Sequence, residues 1–223
     1  MGRTSGPETR DKLVRAAEEV FAAQGVHGAQ LRDIVKLAGQ ANPSAVQYHF
    51  GSREGLLDAV MAARQARTEK VLARLLDGAD RDLRGLLGAL VAAEATELET
   101  ERGRRCLRIS AQLSHESGVR TRTPHPTLDG TVYWELIGRV EGCLGTLPEP
   151  VRLERLDLAL TLIGAALADR ASRRLVGAPP LTGEGFFVAD LVATTAALLT
   201  APLPPLPHGP GAPTDPRPTQ ESS

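Results

Sequence analysis

The sequence predicts an all-α fold in two parts, a small three-helix N-terminal domain with a larger helical domain behind it. Three observations carry that reading. Ala and Leu dominate the chain, only 3% of its residues are aromatic, and no segment sustains the apolar–polar alternation of a half-buried strand. Apolar residues recur instead at helical spacing, as in Leu13, Ala17, Val20 and Phe21. Gly and Pro fall between such segments, where helices begin and end. The 223 residues suffice for one large or two modest domains with a sizeable core.

Residues 1–8 lack periodic apolar positions and are expected to be disordered. A helix over 9–24 ends at Gly25, a residue suited to the turn after a helix. A short second helix spans 31–37, with Leu31, Ile34 and Val35 apolar, and Gly39 breaks it. Asn42 and Pro43 then form a start signal, Asn as N-cap and Pro at the first helical position, where its missing N–H is not needed. This predicts a third helix over 43–49. Gly51 stops it, and Ser52 caps a long helix over 53–77 that carries Leu56, Leu57, Val60 and Met61, then Val71, Leu72, Leu75 and Leu76. Five more helices follow, at about 81–99, 103–116, 126–146, 149–176 and 184–200. Pro126 opens one of them, and Arg173, Arg174 and Gly177 close another, as a helix C-terminus favours. Residues 202–223 hold eight of the 16 prolines and read as a disordered tail.

A formal net charge of −1 predicts no nucleic-acid partner from bulk charge alone. Cys106 and Cys143 form no C-x-x-C pair, which suits a reducing compartment and argues against a disulfide framework. The opening MGRTSGPETR has no apolar core of a signal peptide. The longest apolar run, LALTLIGAALA at 158–168, falls short of the roughly 18 residues a bilayer span needs. The chain therefore reads as cytoplasmic, with no membrane partner. His115, Glu116 and His125 match no defined metal spacing, and no nucleophile–base constellation or phosphate loop is present. No catalytic residues, metal or cofactor are expected, and the chain does not read as an enzyme.

A helix, a Gly-containing turn and a short helix make the pattern of a helix-turn-helix, whose second helix enters the major groove of double-stranded DNA. On that reading Ser44 and Gln47 face base edges, a Gln amide matching adenine. Tyr48 offers its hydroxyl to a phosphate while its ring rests on the bundle, His49 donates an N–H beside it, and Phe50 plugs the core. Ser52 and Arg53 add backbone N–H groups and a cation at the start of the next helix. With Arg32, Asn42 and Ala45 these form the candidate DNA-binding set. Electrostatics object, because residues 1–60 contain seven basic and seven acidic side chains. Few phosphate ion pairs are then expected, and on these residues alone an ordinary helical bundle with an aromatic plug stays open.

Residues 9–61, TRDKLVRAAEEVFAAQGVHGAQLRDIVKLAGQANPSAVQYHFGSREGLLDAVM, resemble the DNA-binding domain of the TetR family of transcriptional regulators. The matching landmarks are VFAAQG, LRDIVKLAG, the aromatic–His–Phe of YHF and the SREGLL that opens the next helix. Three positions depart from the family pattern. The turn Gly39-Gln40-Ala41-Asn42 is one residue longer than its commonest form, Gln30 stands where Ser or Thr usually caps the second helix, and Val35 replaces a small Ala.

The resemblance implies a homodimeric regulator on a near-palindromic operator, a repressor released by an unknown small-molecule ligand. The neutral charge of residues 1–60 leaves an alternative, a TetR-like ligand-binding protein that no longer binds DNA. It also implies a helix-turn-helix domain over 9–52 and a ligand-binding and dimerisation domain over 53–201. Apolar and small residues at helical spacing predict the dimer interface: Leu160, Gly164, Leu167, Ala168 and Ala171 in one helix, Phe187, Leu191, Thr194 and Leu198 in the next. Met61, Cys106, Ser110, Trp134, Ile137, Glu141 and Ile163 are the candidate ligand contacts. Arg102, Arg104, Arg105 and Arg108 read as a solvated charged face, and Gly138 and Gly142 as a close helix crossing.

Overall fold

The computed structural model describes residues 6–205 except Pro43 and Asp80, and the side chain of His115. Among these the chain folds into nine α-helices with two short 3₁₀ segments. The helices are α1 (Gly6–Gln24), α2 (Leu31–Leu37), α3 (Ala45–Phe50), α4 (Arg53–Gly78), α5 (Leu83–Ala95), α6 (Glu101–Gln112), α7 (Val132–Gly142), α8 (Glu149–Leu175) and α9 (Glu184–Thr200). The expectations for residues 1–5 and 206–223 lie outside the described residues, and residues 6–8, read as disordered, form the first turn of α1.

Two apolar cores form. The N-terminal one gathers Leu13, Phe21, Ile34 and Val46 of α1–α3 with Leu56 and Val60 of α4 and, from further along the chain, Ile109 of α6. The second gathers Leu72 of α4 with the inward faces of α5, α7, α8 and α9, among them Leu90, Leu136, Leu167 and Leu199. Helices α4 and α6 contribute to both cores, so the two parts of the molecule share two supports.

Side-chain caps set several of the starts. Ser52, Asp82, Thr100 and Thr131 each accept a hydrogen bond from the backbone N–H three residues on, at 2.7–3.1 Å. Thr100 is the only residue between the 3₁₀ turn Thr96–Glu99 and α6, which moves the expected helix 103–116 back to residue 101 and ends the expected 81–99 as α-helix at Ala95. The second 3₁₀ turn, Ser114–Glu116, takes the rest. Helix 126–146 is the largest correction. Residues 126–130 form turns, Gly130 takes a φ of +66°, and Thr131 caps a helix confined to Val132–Gly142. Pro126 suits a turn as well as a helix start, because both need the same φ. Gly138 and Gly142 face open space, so no helix crosses there.

The two parts are pinned together by charge. Glu18 of α1, its side chain only 3% exposed, accepts a fork from Arg102, with Nε–Oε2 and Nη2–Oε1 both 2.7 Å. Arg105 pairs with Glu19 at 3.4 Å, and Arg104 donates to the Leu98 carbonyl at 2.8 Å. The arginine run expected to be a solvated face therefore ties α6 to α1 and to its own approach. Arg102→Ala should strand a buried carboxylate and lower stability by about 2–3 kcal/mol. A fall in the urea midpoint at unchanged slope would show this, and an unmoved midpoint would refute it.

Candidate nucleic-acid interface and internal cavity

The short turn between α2 and α3 decides what α3 presents. Helix α2 ends in a Schellman arrangement, with Gly39 at φ +67°, its N–H donating to Lys36 O and the Gln40 N–H to Val35 O, both 3.1 Å. Gln30 precedes α2 without a side-chain cap. Asn42 does not cap α3 directly. Its Oδ1 accepts the Ser44 N–H at 2.9 Å and its carbonyl accepts the Ala45 N–H at 3.1 Å, so the helix begins at Ala45 rather than 43. Pro43 lies outside the described residues.

Helix α3 is held at both ends and from below. Ala45 and Val46 are buried in the N-terminal core, which removes Ala45 from the candidate contact set. Gly51 takes a φ of +74° after its last turn, and a Cβ on Gly55 would sit 2.1 Å from the Phe50 carbonyl oxygen, so only glycine lets α4 leave α3 so closely. Asn42, Ser44, Gln47 and Tyr48 are exposed, as is Arg32 on α2. Tyr48 is 85% exposed, its ring standing edge-on to His49 at 4.9 Å rather than resting on the bundle. Phe50 only partly enters the core and carries the Arg10 guanidinium 5.1 Å from its ring centroid.

Arg53 is a correction. Its guanidinium donates to the carbonyls of Val26 and Ala29 and lies 5.2 Å from the centroid of the Phe21 ring. It holds the α1–α2 turn instead of facing outward. Ser52, expected at the interface, spends its hydroxyl oxygen as the α4 cap. The Val26 N–H is accepted in turn by Gln112 Oε1 at 2.9 Å, so the end of α6 grips the same turn. The sequence gives no signal for this bond, whose partners lie 86 residues apart.

Residues 13–60 match the family model "Bacterial regulatory proteins, tetR family". The N-terminal domain belongs to the TetR family. This TetR domain is 47% identical over 58 residues to SrpR, an HTH-type transcriptional regulator of Pseudomonas putida, a match covering 26% of this chain and 27% of SrpR. It is also 47% identical over 58 residues to TtgW, an uncharacterised HTH-type transcriptional regulator of Pseudomonas putida, covering 26% and 42% of the two chains. The chain thus aligns with less than half the length of either relative. The whole TetR-like fold is shared with a transcriptional regulator from Rhodococcus sp. RHA1, at a TM-score of 0.55 and 17% identity over 88% of this chain and 96% of that one.

Behind the TetR domain, α4, α5, α6, α7 and α8 surround a cavity of about 140 Å³. Met61, Ser110 and Ile163, expected to contact a ligand, line it. The other four candidates do not. Cys106 is buried beside Arg67, its Sγ 3.5 Å from Nη2. Trp134, Ile137 and Glu141 line a separate cleft, and Glu141 is paired with Arg122 at 2.6 Å. Arg64, Gln65 and Glu94 were missed, and Tyr133 lines the cavity where its neighbour Trp134 does not. Leu57, Met61, Arg64 and Gln65 fall on one stripe of α4, and polar residues within an inward stripe were the available signal. Arg64 and Glu94 form a buried ion pair, with side chains 7% and 11% exposed, and the Arg64 Nε–H has no acceptor. Burial lowers the Arg64 value and raises that of the Tyr133 phenol. Among the described residues no group of His, Cys, Asp and Glu is arranged to hold a metal ion, and no helix is long and apolar enough to cross a membrane.

The expected dimer stripe is largely internal. Leu160, Leu167, Ala171 and Leu191 are buried in the second core, and Gly164 lines the cavity with Leu160. Ala168, Phe187 and Leu198 are half-buried, and Thr194 is exposed. The outward faces carry Leu158, Thr161 and Ala165 on α8 and Phe186, Ala189 and Ala197 on α9. One helical period holds two apolar stripes, and the stripe expected to pair with a second copy is the one that buries within this chain.

The two cysteines should behave differently. Burial pushes the Cys106 thiol up from its ordinary value of 9.0 to about 11, while Cys143 is exposed. A disulfide reagent at neutral pH should modify Cys143 promptly and Cys106 only on unfolding. Because the folded value lies above the ordinary one, the folded state keeps its proton longer, and Cys106 should lower stability as pH rises from 9.0 toward about 11. Prompt reaction of both thiols in the native protein would contradict this placement.

Proposed function

We propose that the chain is a sequence-specific transcriptional regulator that binds a near-palindromic double-stranded DNA operator as a homodimer and represses until a small molecule enters the cavity. The observation that carries the DNA-binding reading is α3 itself. It is a short helix anchored by Ala45 and Val46, with Ser44, Gln47 and an 85%-exposed Tyr48 turned outward. Its likeness to the TetR domains of SrpR and TtgW supports the same reading.

The charge balance no longer opposes it. Glu18 and Glu19 are neutralised by Arg102 and Arg105, which lie outside residues 1–60. Glu8 and Asp11 pair with Lys12 and Arg15 on α1. Arg32 and Lys36 stand exposed one turn apart on α2, beside the turn that leads to α3. A domain with no net charge thus places exposed cations next to its presenting helix, and two tethered heads supply the affinity that each lacks. The exposed stripe of Leu158, Thr161 and Ala165 with Phe186, Ala189 and Ala197 supports pairing of α8 and α9 across a twofold axis.

Relief has a short physical route. Ser110 and Leu113 line the cavity, and Gln112 between them caps Val26 in the α1–α2 turn. An occupant that moves the end of α6 would release or tilt that turn, and with it α2 and α3.

Fragments of the source genome should be selected by the full-length protein and the best one titrated at two salt concentrations. A near-palindrome retained at moderate salt supports the reading; no enrichment by a folded dimer favours a ligand-binding protein without DNA binding. On that operator, Tyr48→Phe should weaken specific and non-specific binding alike by about 1 kcal/mol per head. Gln47→Ala should instead erode base preference by about 1–3 kcal/mol, seen with operator variants in fluorescence anisotropy. Gln112→Leu should lower operator affinity by roughly 1–2 kcal/mol without reordering those variants. Unchanged affinity would remove α6 from the route.

A further inference from the structure

Helix α1 carries a cation to the far end of the presenting helix. Arg10 is exposed in the second turn of α1, and its guanidinium lies 5.1 Å from the centroid of the Phe50 ring, the last residue of α3. The first turn of α1 lies against the same end, since a Cβ on Gly6 would come 4.0 Å from His49 Cε1. A positive charge therefore stands next to Tyr48 and His49.

The sequence leaves that cation without an ion-pair partner on its own helix. Helical neighbours stand three and four residues apart, and around Arg10 those positions are Gly6, Pro7, Leu13 and Val14. The nearest acids are committed elsewhere, Glu8 to Lys12 at 2.7 Å and Asp11 to Arg15 at 3.2 Å. Two other arginines lie over phenylalanine rings, and they show the contrast. Arg53 over Phe21 gives its N–H groups to the Val26 and Ala29 carbonyls. Arg170 over Phe187 gives its own to Glu184 and the Thr182 carbonyl. In both, a ring holds the flat face and the protein takes the edge. Arg10 has the ring alone, with no acceptor at its edge among the described residues. Stacking fixes a guanidinium without using its N–H donors, so the fork stays open to an oxyanion from outside.

Resting on the reading of α3 as the DNA-presenting helix, we propose that Arg10 is a further DNA contact, donating its open edge to a backbone phosphate at the C-terminal end of α3. Arg32 and Lys36 stand by the turn at the other end. A helix of six residues is about 9 Å long and the major groove about 12 Å wide, so cations beyond both ends meet the two strands that bound the groove. Arg10 anchors position and reads no base. Phe50 then serves as the platform for a cation as well as a partial plug of the core.

Fluorescence anisotropy on the full-length protein over a series of salt concentrations reads both affinity and the slope of log K against log salt. The duplexes are the selected operator and an unrelated sequence of equal length. Arg10→Gln should reduce the slope by about one per head, on both duplexes alike, and leave the ranking of operator variants unchanged. Arg10→Lys keeps the charge and should keep the slope. Arg15→Gln removes the same charge from the same helix, but from a residue paired with Asp11, and should leave the slope where it was. Equal losses in Arg10→Gln and Arg15→Gln would mean a general field rather than a contact, and would sink the proposal. An unchanged slope in Arg10→Gln with a lower urea midpoint would make Arg10 only a prop for Phe50, with the DNA-binding reading intact. An unchanged slope with an unmoved midpoint would likewise remove Arg10 from the interface. If the folded, unaltered protein binds neither duplex, the DNA-binding reading fails and this contact fails with it.

Discussion

The α1–α2 turn at Val26 is gripped from two sides, and much of the rest depends on that grip. Its N–H is accepted by Gln112 from the end of α6, and its carbonyl is bonded by Arg53 from the start of α4. Neither partner is local in sequence, yet together they leave no free backbone group at the turn residue that orients α2. Helix α2 in turn positions α3 through a Schellman end closed by backbone hydrogen bonds and a tight Asx turn closed by the Asn42 side chain. The presenting helix has few degrees of freedom of its own. Its orientation is inherited from α4 and α6, which also line the cavity.

The same economy governs charge. A chain with almost equal numbers of acids and bases has no useful average field, so what matters is where each charge is spent. Helix α1 turns Glu18 and Glu19 toward arginines of α6, and those bonds both fasten the two cores and neutralise two acids of the N-terminal domain. Arg53 shows the converse, a cation taken out of circulation to satisfy two carbonyls. The cations left exposed on α2 are few, and the exposed face of α3 is made of the neutral side chains of Ser44, Gln47 and Tyr48.

The ion pair of Arg64 and Glu94 lines a cavity whose walls mix leucine and isoleucine with Gln65, Ser110, Ser114, His125 and Tyr133. Burying such a pair rarely adds stability over an apolar substitute. The cavity also borders α6, whose C-terminal end holds Val26 through Gln112.

The sequence by itself determined the helical class, the order of the helices and the identity of the N-terminal domain. These follow from local rules: apolar periodicity, caps at Ser52, Gly after a final turn, and the YHF and SREGLL landmarks that carry the family resemblance. The exposed candidates Arg32, Asn42, Ser44, Gln47 and Tyr48 were legible because a short helix with a known supporting face leaves little choice of outward side. Only the tertiary structure decided which of two stripes on α8 is buried, since Leu160–Leu167 and Leu158–Ala165 both carry apolar and small residues at helical spacing and differ in what packs on them. It also decided that Arg53, Arg102 and Gln112 are bound within the protein and that Arg64 meets Glu94. Those are pairings between residues 24 to 86 positions apart, and periodicity, which reads one helix at a time, has no term for them.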